Sequence, residues 1–256
     1  MQNSVVVHQK YIFSKDDDIE HEICDISVRY TQYVRVSYEK RLMLSSIEKL
    51  INTGFRDRVI RTADLYHVFS GSPRRVQSLV YRAMSVGELI RLRRGFYILC
   101  SKYRSQKPVS FHLANQMVEE SYVSFESALS FHGWIPESVP VVSSAVRSSR
   151  SRTIETELGR FDYIRIPIGK MDFLIMVDRV DAGVQSYLVA SALRALADLV
   201  YERKLKWTGI EYITENLRVN EYELETLERK DIELVISVFK SHRVRKYMRR
   251  LEQELF

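Results

Sequence analysis

The stretch from Ser72 to Leu99 constrains this chain most, because start and stop signals for a helix and a hairpin follow one another with almost no residues to spare. Ser72 offers a side-chain oxygen to the open amides of a first helical turn, and Pro73 sits where a missing N–H costs nothing. The predicted helix runs to about Ser85 and stops at Gly87. At ~100° per residue Val76, Leu79, Val80 and Ala83 gather on one side, whereas Arg74, Ser78, Tyr81 and Ser85 lie opposite, flanked by Gln77 and Arg82. Leu89–Leu92 and Phe96–Leu99 then read as two short strands around Arg93-Arg94-Gly95, a turn signal with glycine available for a positive φ.

Upstream, Leu42, Leu44, Ile47, Leu50 and Ile51 recur at helical spacing between Tyr38 and Asn52, with Gly54 following as a C-cap. Thr62 is placed to cap a short second helix through Val68, and Gly71-Ser72 makes the turn out of it. Three helices and a hairpin in this order predict a winged helix-turn-helix over residues 38–105. Residues 1–37 alternate like strands around Asp16, Asp17 and Asp18 and are left as an N-terminal extension of unknown role, either an arm or an over-extended start.

Charge singles out the same unit. Residues 41–105 hold thirteen Lys/Arg against four acids, a surplus of nine, while residues 1–40, 106–180 and 181–256 sum to −2, −1 and 0. Charge concentrated in one small unit points to a polyanion. Arg and Gln can bond base edges in pairs and Ser can reach either kind of base, so Arg74, Gln77, Ser78 and Arg82 are the base-reading candidates. Ser72 and Arg75 join the DNA-binding set at the helix N-terminus, where open amides can hold a phosphate. Arg91, Arg93 and Arg94 suit phosphates. The alternative is a winged helix used only against protein, with the arginines as a solvated face.

After Pro108 the composition turns near neutral. Helices are expected over Phe111–Ser121 and Ser124–His132, then a strand within Val139–Val146, a basic serine-rich loop over Arg147–Arg152, and a hairpin about Gly159. From Ser191 the pattern is helical, ending in a helix with Lys240, Arg243, Arg245, Lys246, Arg249 and Arg250, which the nearby Glu252 and Glu254 argue is a solvated face, with nucleic-acid or partner contact as the alternative. Residues 106–256 are therefore expected to be an α+β domain with a helical end.

Enzyme signatures are absent from the sequence. The nine glycines make neither GxGxxG nor GxxxxGK[ST], and the six histidines make no HExxH and no zinc spacing with Cys24 or Cys100. His132, in SFHGW, reads as a packed or helix-capping residue ahead of Gly133. No catalytic residue, metal or cofactor is expected. Met1–Lys10 lacks the features of a signal peptide, and no apolar run approaches the ~20 residues of a membrane helix, so a soluble cytoplasmic protein without membrane contact is expected.

Two stretches go beyond a generic winged helix. VSFESALSFHGWIPE (Val123–Glu137), the basic loop and GRFDYIRIP (Gly159–Pro167) together resemble the C-terminal domain of AbiEi-type antitoxins of type IV toxin-antitoxin, abortive-infection operons. ASALRALADLVY (Ala190–Tyr201) is similar to that family's KALxDL helix, with Arg194 where lysine is usual and Ala192-Leu193 where Pro-Glu often opens it. ADLYHVFSG and SPRRVQSLVYRAMSVGELIRLRRGFYIL match the family's winged-helix half. The resemblance covers about residues 43–256, and Ser127, His132, Gly133, Gly159 and Phe161 mark its most specific part.

The resemblance implies a phage-defence antitoxin and transcriptional regulator without catalysis. The winged helix would bind operator DNA of its own operon, and the C-terminal domain would counter a cognate nucleotidyltransferase-type toxin. Two other classes stay open: a stand-alone regulator whose C-terminal domain senses a ligand or oligomerises, and a protein-interaction module.

Overall fold

The computed structural model describes residues 45–256, and the expectations for residues 1–44 lie outside them. The described part is mixed α+β. Helix α1 (45–50) passes into a π-helical turn, Ile51–Phe55, in which Gly54 takes φ +88°. Strand β1 (Ile60–Arg61), α2 (Thr62–Val68), α3 (Pro73–Ser85), β2 (Leu89–Arg93) and β3 (Phe96–Leu99) follow. They make a three-stranded antiparallel sheet in the order β1-β3-β2 with α2 and α3 against it.

Local chemistry explains these boundaries. Ser72 accepts from the Arg75 amide at 3.4 Å with Pro73 in the first turn, as its sequence position predicts. At the other end Gly87, at φ +71°, donates to Met84 O and Glu88 donates to Ala83 O, the paired bonds of a Schellman stop. Val76, Val80 and Ala83 are buried beneath α3. The start of α2 differs from expectation by one residue. Arg61 is the N-cap, its amide held by the Asp64 carboxylate at 2.7 Å. Thr62 instead donates its hydroxyl and amide to Gly95 O, tying α2 to the β2–β3 turn.

The rest builds on a six-stranded mixed sheet, in order β6-β7-β5-β4-β9-β8. Its strands are β4 (Ser121–Val123), β5 (Val142–Val146), β6 (Arg152–Thr156), β7 (Gly159–Arg165), β8 (Val177–Ala182) and β9 (Gln185–Ala190). Helices α4 (Ser110–Met117), α5 (Phe125–Phe131) and α6 (Ala192–Glu202) pack on it. Beyond them, α7 (Glu221–Glu225) precedes α8 (Arg229–Val238) and α9 (His242–Leu255), which pack on α6. The expected first helix is cut short at Met117, because Ser121–Val123 are needed as a central strand between β5 and β9. The β8–β9 hairpin is a further element that the sequence pattern left unassigned.

Lys49–Phe256 is one compact unit. Val59, Leu92 and Ile98 share a continuous apolar core with Leu113, Val146 and Phe161, and β2 lies against β6. Among the described residues no helix is long and apolar enough to cross a membrane.

Candidate nucleic-acid interface

The exposed side of α3 carries no acid. Arg74, Arg75, Gln77, Ser78, Tyr81 and Ser85 are exposed and Arg82 is half-buried. Arg74, Gln77, Ser78, Tyr81 and Arg82 line one shallow depression. Tyr81, on the expected outer face but outside the base-reading set, is 70% exposed, a large ring left in water at the centre of that face. The helix gathers these side chains because positions three and four apart stack on one side.

Some of their hydrogen-bonding capacity is already committed. Ser78 Oγ donates to Arg74 O at 2.9 Å and Arg82 Nε donates to Ser78 O at 3.3 Å. In this arrangement Ser78 presents its acceptor lone pairs outward, and the terminal nitrogens of Arg82 remain donors. At the N-terminus of α3 the Arg75 amide serves Ser72, Val76 N bonds Ser72 O, and Pro73 has no N–H. The Arg74 amide is the one left for an anion in that turn. Arg75 lies back over the turn, its Cδ 3.2 Å from where a Cβ on Gly71 would stand.

The hairpin arginines separate. Register pairs Arg93 with Phe96, leaving Arg94-Gly95 as a two-residue loop with Gly95 at φ +82°. Arg91 and Arg94 are exposed. Arg93, expected beside them as a phosphate contact, is half-buried: its guanidinium lies 3.7 Å from the Phe96 ring centroid and its Nε is buried without a partner. Burial, and then the neighbouring charge of Arg152, hold its pKa below the usual arginine value. A bulge between Arg91 and Arg93 turns Arg93 toward the second sheet. Arg61, 5.7 Å from the same ring, pairs with Glu119 at 3.1 Å.

The acids of this segment explain how the surface stays cationic. Asp64 caps α2, and Glu88 accepts from Tyr103 OH at 2.9 Å. Asp57 accepts from the amides of Ser105 (2.8 Å) and Gln106 (3.2 Å) and from the Ser105 hydroxyl. Burial pushes the Asp57 pKa up, but the Ser105 and Gln106 bonds together with Arg56 outweigh it and hold the carboxyl below its ordinary value. These three carboxylates are spent on structure, so none of them neutralises α3.

The second motif is a folding signature. Ser127 Oγ donates to Val141 O and accepts from Ser143 N at 2.9 Å, stitching α5 to β5. His132 is the C-cap of α5, and its Nε2 lies 2.8 Å from Ala190 O. Gly133, at φ +76°, donates to Ser130 O and Trp134 donates to Leu129 O, a Schellman stop that requires the glycine. Gly159 opens β7 after the hairpin turn, and Phe161 is in the core. Arg147 of the basic loop makes two 2.7 Å bonds to Glu120, so that cation is neutralised within the chain.

The KALxDL-like helix supplies the centre of this part. Arg194, Asp198, Tyr122 and Ser124 are fully buried. Asp198 accepts from Tyr122 OH (2.8 Å), Ser124 Oγ (2.7 Å) and Arg194 Nε (3.3 Å). Arg194 also donates to Tyr122 Oη and to Ile175 O, both at 2.7 Å. Desolvation works against charge here, yet three donors converge on the carboxylate and an ion pair results. Only a forked guanidinium serves all three acceptors at once.

Compared with known protein-family models and with curated proteins, the chain matches none.

Proposed function

We propose that this chain is a winged helix-turn-helix DNA-binding antitoxin of the AbiEi type, which represses its own operon and counters a nucleotidyltransferase-type toxin without catalysis. The observation that carries the DNA half is the acid-free exposed face of α3 beside exposed Arg91 and Arg94. Helix α3 enters the major groove. Arg74 and Arg82 suit the O6/N7 edge of guanine and Gln77 the N6/N7 edge of adenine. Ser78 can reach either kind of base. Arg91 and Arg94 and the Arg74 amide hold phosphates, and Arg93 serves the protein's own packing. The antitoxin half rests on the resemblance of Val123–Glu137, Gly159–Pro167 and Ala190–Tyr201 to that family.

Fluorescence anisotropy on the chain's own promoter tests the first half. Replacing Arg74, Gln77 and Arg82 by Ala should cost ~1–3 kcal/mol of specific binding per base contact, while growth rescue against the adjacent toxin gene persists. Unchanged promoter affinity in that variant would refute the assignment of α3. One observation favours the stand-alone regulator: a cleft of about 450 Å³ lined partly by Leu129, Ile135, Val139, Leu199 and Leu217. Absence of a nucleotidyltransferase gene beside this one would favour that reading.

A further inference from the structure

We infer that the outer face of α9 is a second surface for the phosphate backbone of nucleic acid, separate from α3. At 3.6 residues per turn, Arg243, Arg245, Lys246, Arg249 and Arg250 fall within an arc of about 160° that they share with His242 and Gln253 and that holds no acid, opposite buried Val244, Tyr247, Met248 and Leu251. All five cations are exposed. Glu252 and Glu254, which in the sequence stand next to them, fall at the two margins of the arc and are engaged elsewhere. Glu254 accepts from Trp207 Nε1 at 2.9 Å and from the Ile210 amide at 3.2 Å. Glu252 faces Arg229 at 3.7 Å. Among the described residues no carboxylate lies within ion-pair distance of the five, and Arg250 bonds only Gln253, at 3.2 Å.

The chemistry selects the partner. Protein interfaces are built around a buried apolar core, and this arc contains no apolar residue. Membrane binding by an amphipathic helix needs its apolar face free, and here that face is packed against α6 and α8. Phosphate contacts need neither, and four of the five cations are arginine, whose planar fork matches phosphate oxygens. The eight residues from Arg243 to Arg250 rise roughly 10 Å along the axis, a length in which one strand of B-DNA passes about three phosphates.

The test uses the full-length protein with all five cations replaced by Gln, and its counterpart with Lys at all five positions. Binding to a duplex of arbitrary sequence is followed against salt by anisotropy, with circular dichroism and melting temperature confirming the fold. Because the five side chains are exposed, both variants should melt like the parent. The Gln variant should lose at least tenfold in affinity at low salt, and its log–log salt slope should shrink by about 2 to 3, near 0.9 per phosphate lost. The Lys variant should keep the slope. Unchanged affinity and slope in the folded Gln variant would overturn the inference, as would loss of binding to polyglutamate in place of DNA. The triple Ala variant of α3 and the Gln variant of α9, both titrated on the chain's own promoter, separate the two surfaces. Loss only in the α3 variant sinks this inference and leaves the proposed function standing, and loss only in the α9 variant does the reverse.

Discussion

Asp198 shows how much of this chain turns on where single charges are spent. Its carboxylate sits at zero exposure with three donors on it, so removing any partner strands a buried polar group. Asp198→Ala leaves the Arg194 guanidinium buried and unpaired and should cost ~3–5 kcal/mol in urea unfolding. Tyr122→Phe removes one donor and one acceptor and should cost ~1–3 kcal/mol. Equal stability of both variants with the parent would mean the network contributes nothing net. Asp57 belongs to the surface instead. Its pKa is held below the ordinary value of about 3.9 by the Ser105 and Gln106 bonds, which outweigh the upward push of burial. Its stabilisation is thus fully present above the unfolded-state pKa and drains away as pH falls through the folded one. Asp57→Asn should flatten the acid-unfolding profile below about pH 4, and an unaltered profile would remove Asp57 from that role.

At the scale of elements, helix α3 and the β2–β3 hairpin were legible because their signals act within a few residues. Ser72, Pro73 and Gly87 bracket the helix almost to the residue, since caps and stops are bonds between near neighbours. Strand β4 was missed for the opposite reason: Ser121–Val123 is too short to show periodicity and is extended only because β5 and β9 flank it. The Thr62 cap failed likewise, its hydroxyl drawn to Gly95 O, thirty-three residues away. Gly95 is the more sensitive end of that contact. A Cβ there would stand 3.2 Å from Thr62 Oγ1 at φ +82°. Gly95→Ala should therefore destabilise by ~1–3 kcal/mol, more than the ~1 kcal/mol expected for Ser72→Ala on the exposed cap. Thermal melts of the two variants in parallel check the order.

Over the whole molecule, the apolar core ignores the charge break near residue 105. Leu92, Ile98 and Val59 share their cluster with the residues of the second sheet, so the basic unit and the near-neutral remainder should unfold together. Leu92→Ala should lower stability by ~2–5 kcal/mol and shift a single transition, seen alike by far-ultraviolet dichroism and by tryptophan fluorescence. The two tryptophans, Trp134 and Trp207, lie outside residues 41–105, so separated transitions would reveal independent units.

Local order in the basic unit, its net charge and the outward rows of α3 and α9 were settled by residue identity and spacing alone, because helical periodicity needs no distant partner. Which acids would neutralise those rows was not. Asp57 finds Ser105 forty-eight residues on, and Glu254 finds Trp207 forty-seven residues back. Arg93, indistinguishable from Arg94 in sequence, is half-buried on Phe96. Hydrogen bonds and burial depend on what the chain brings close in space, so only the tertiary structure decided which charges stay free for a partner.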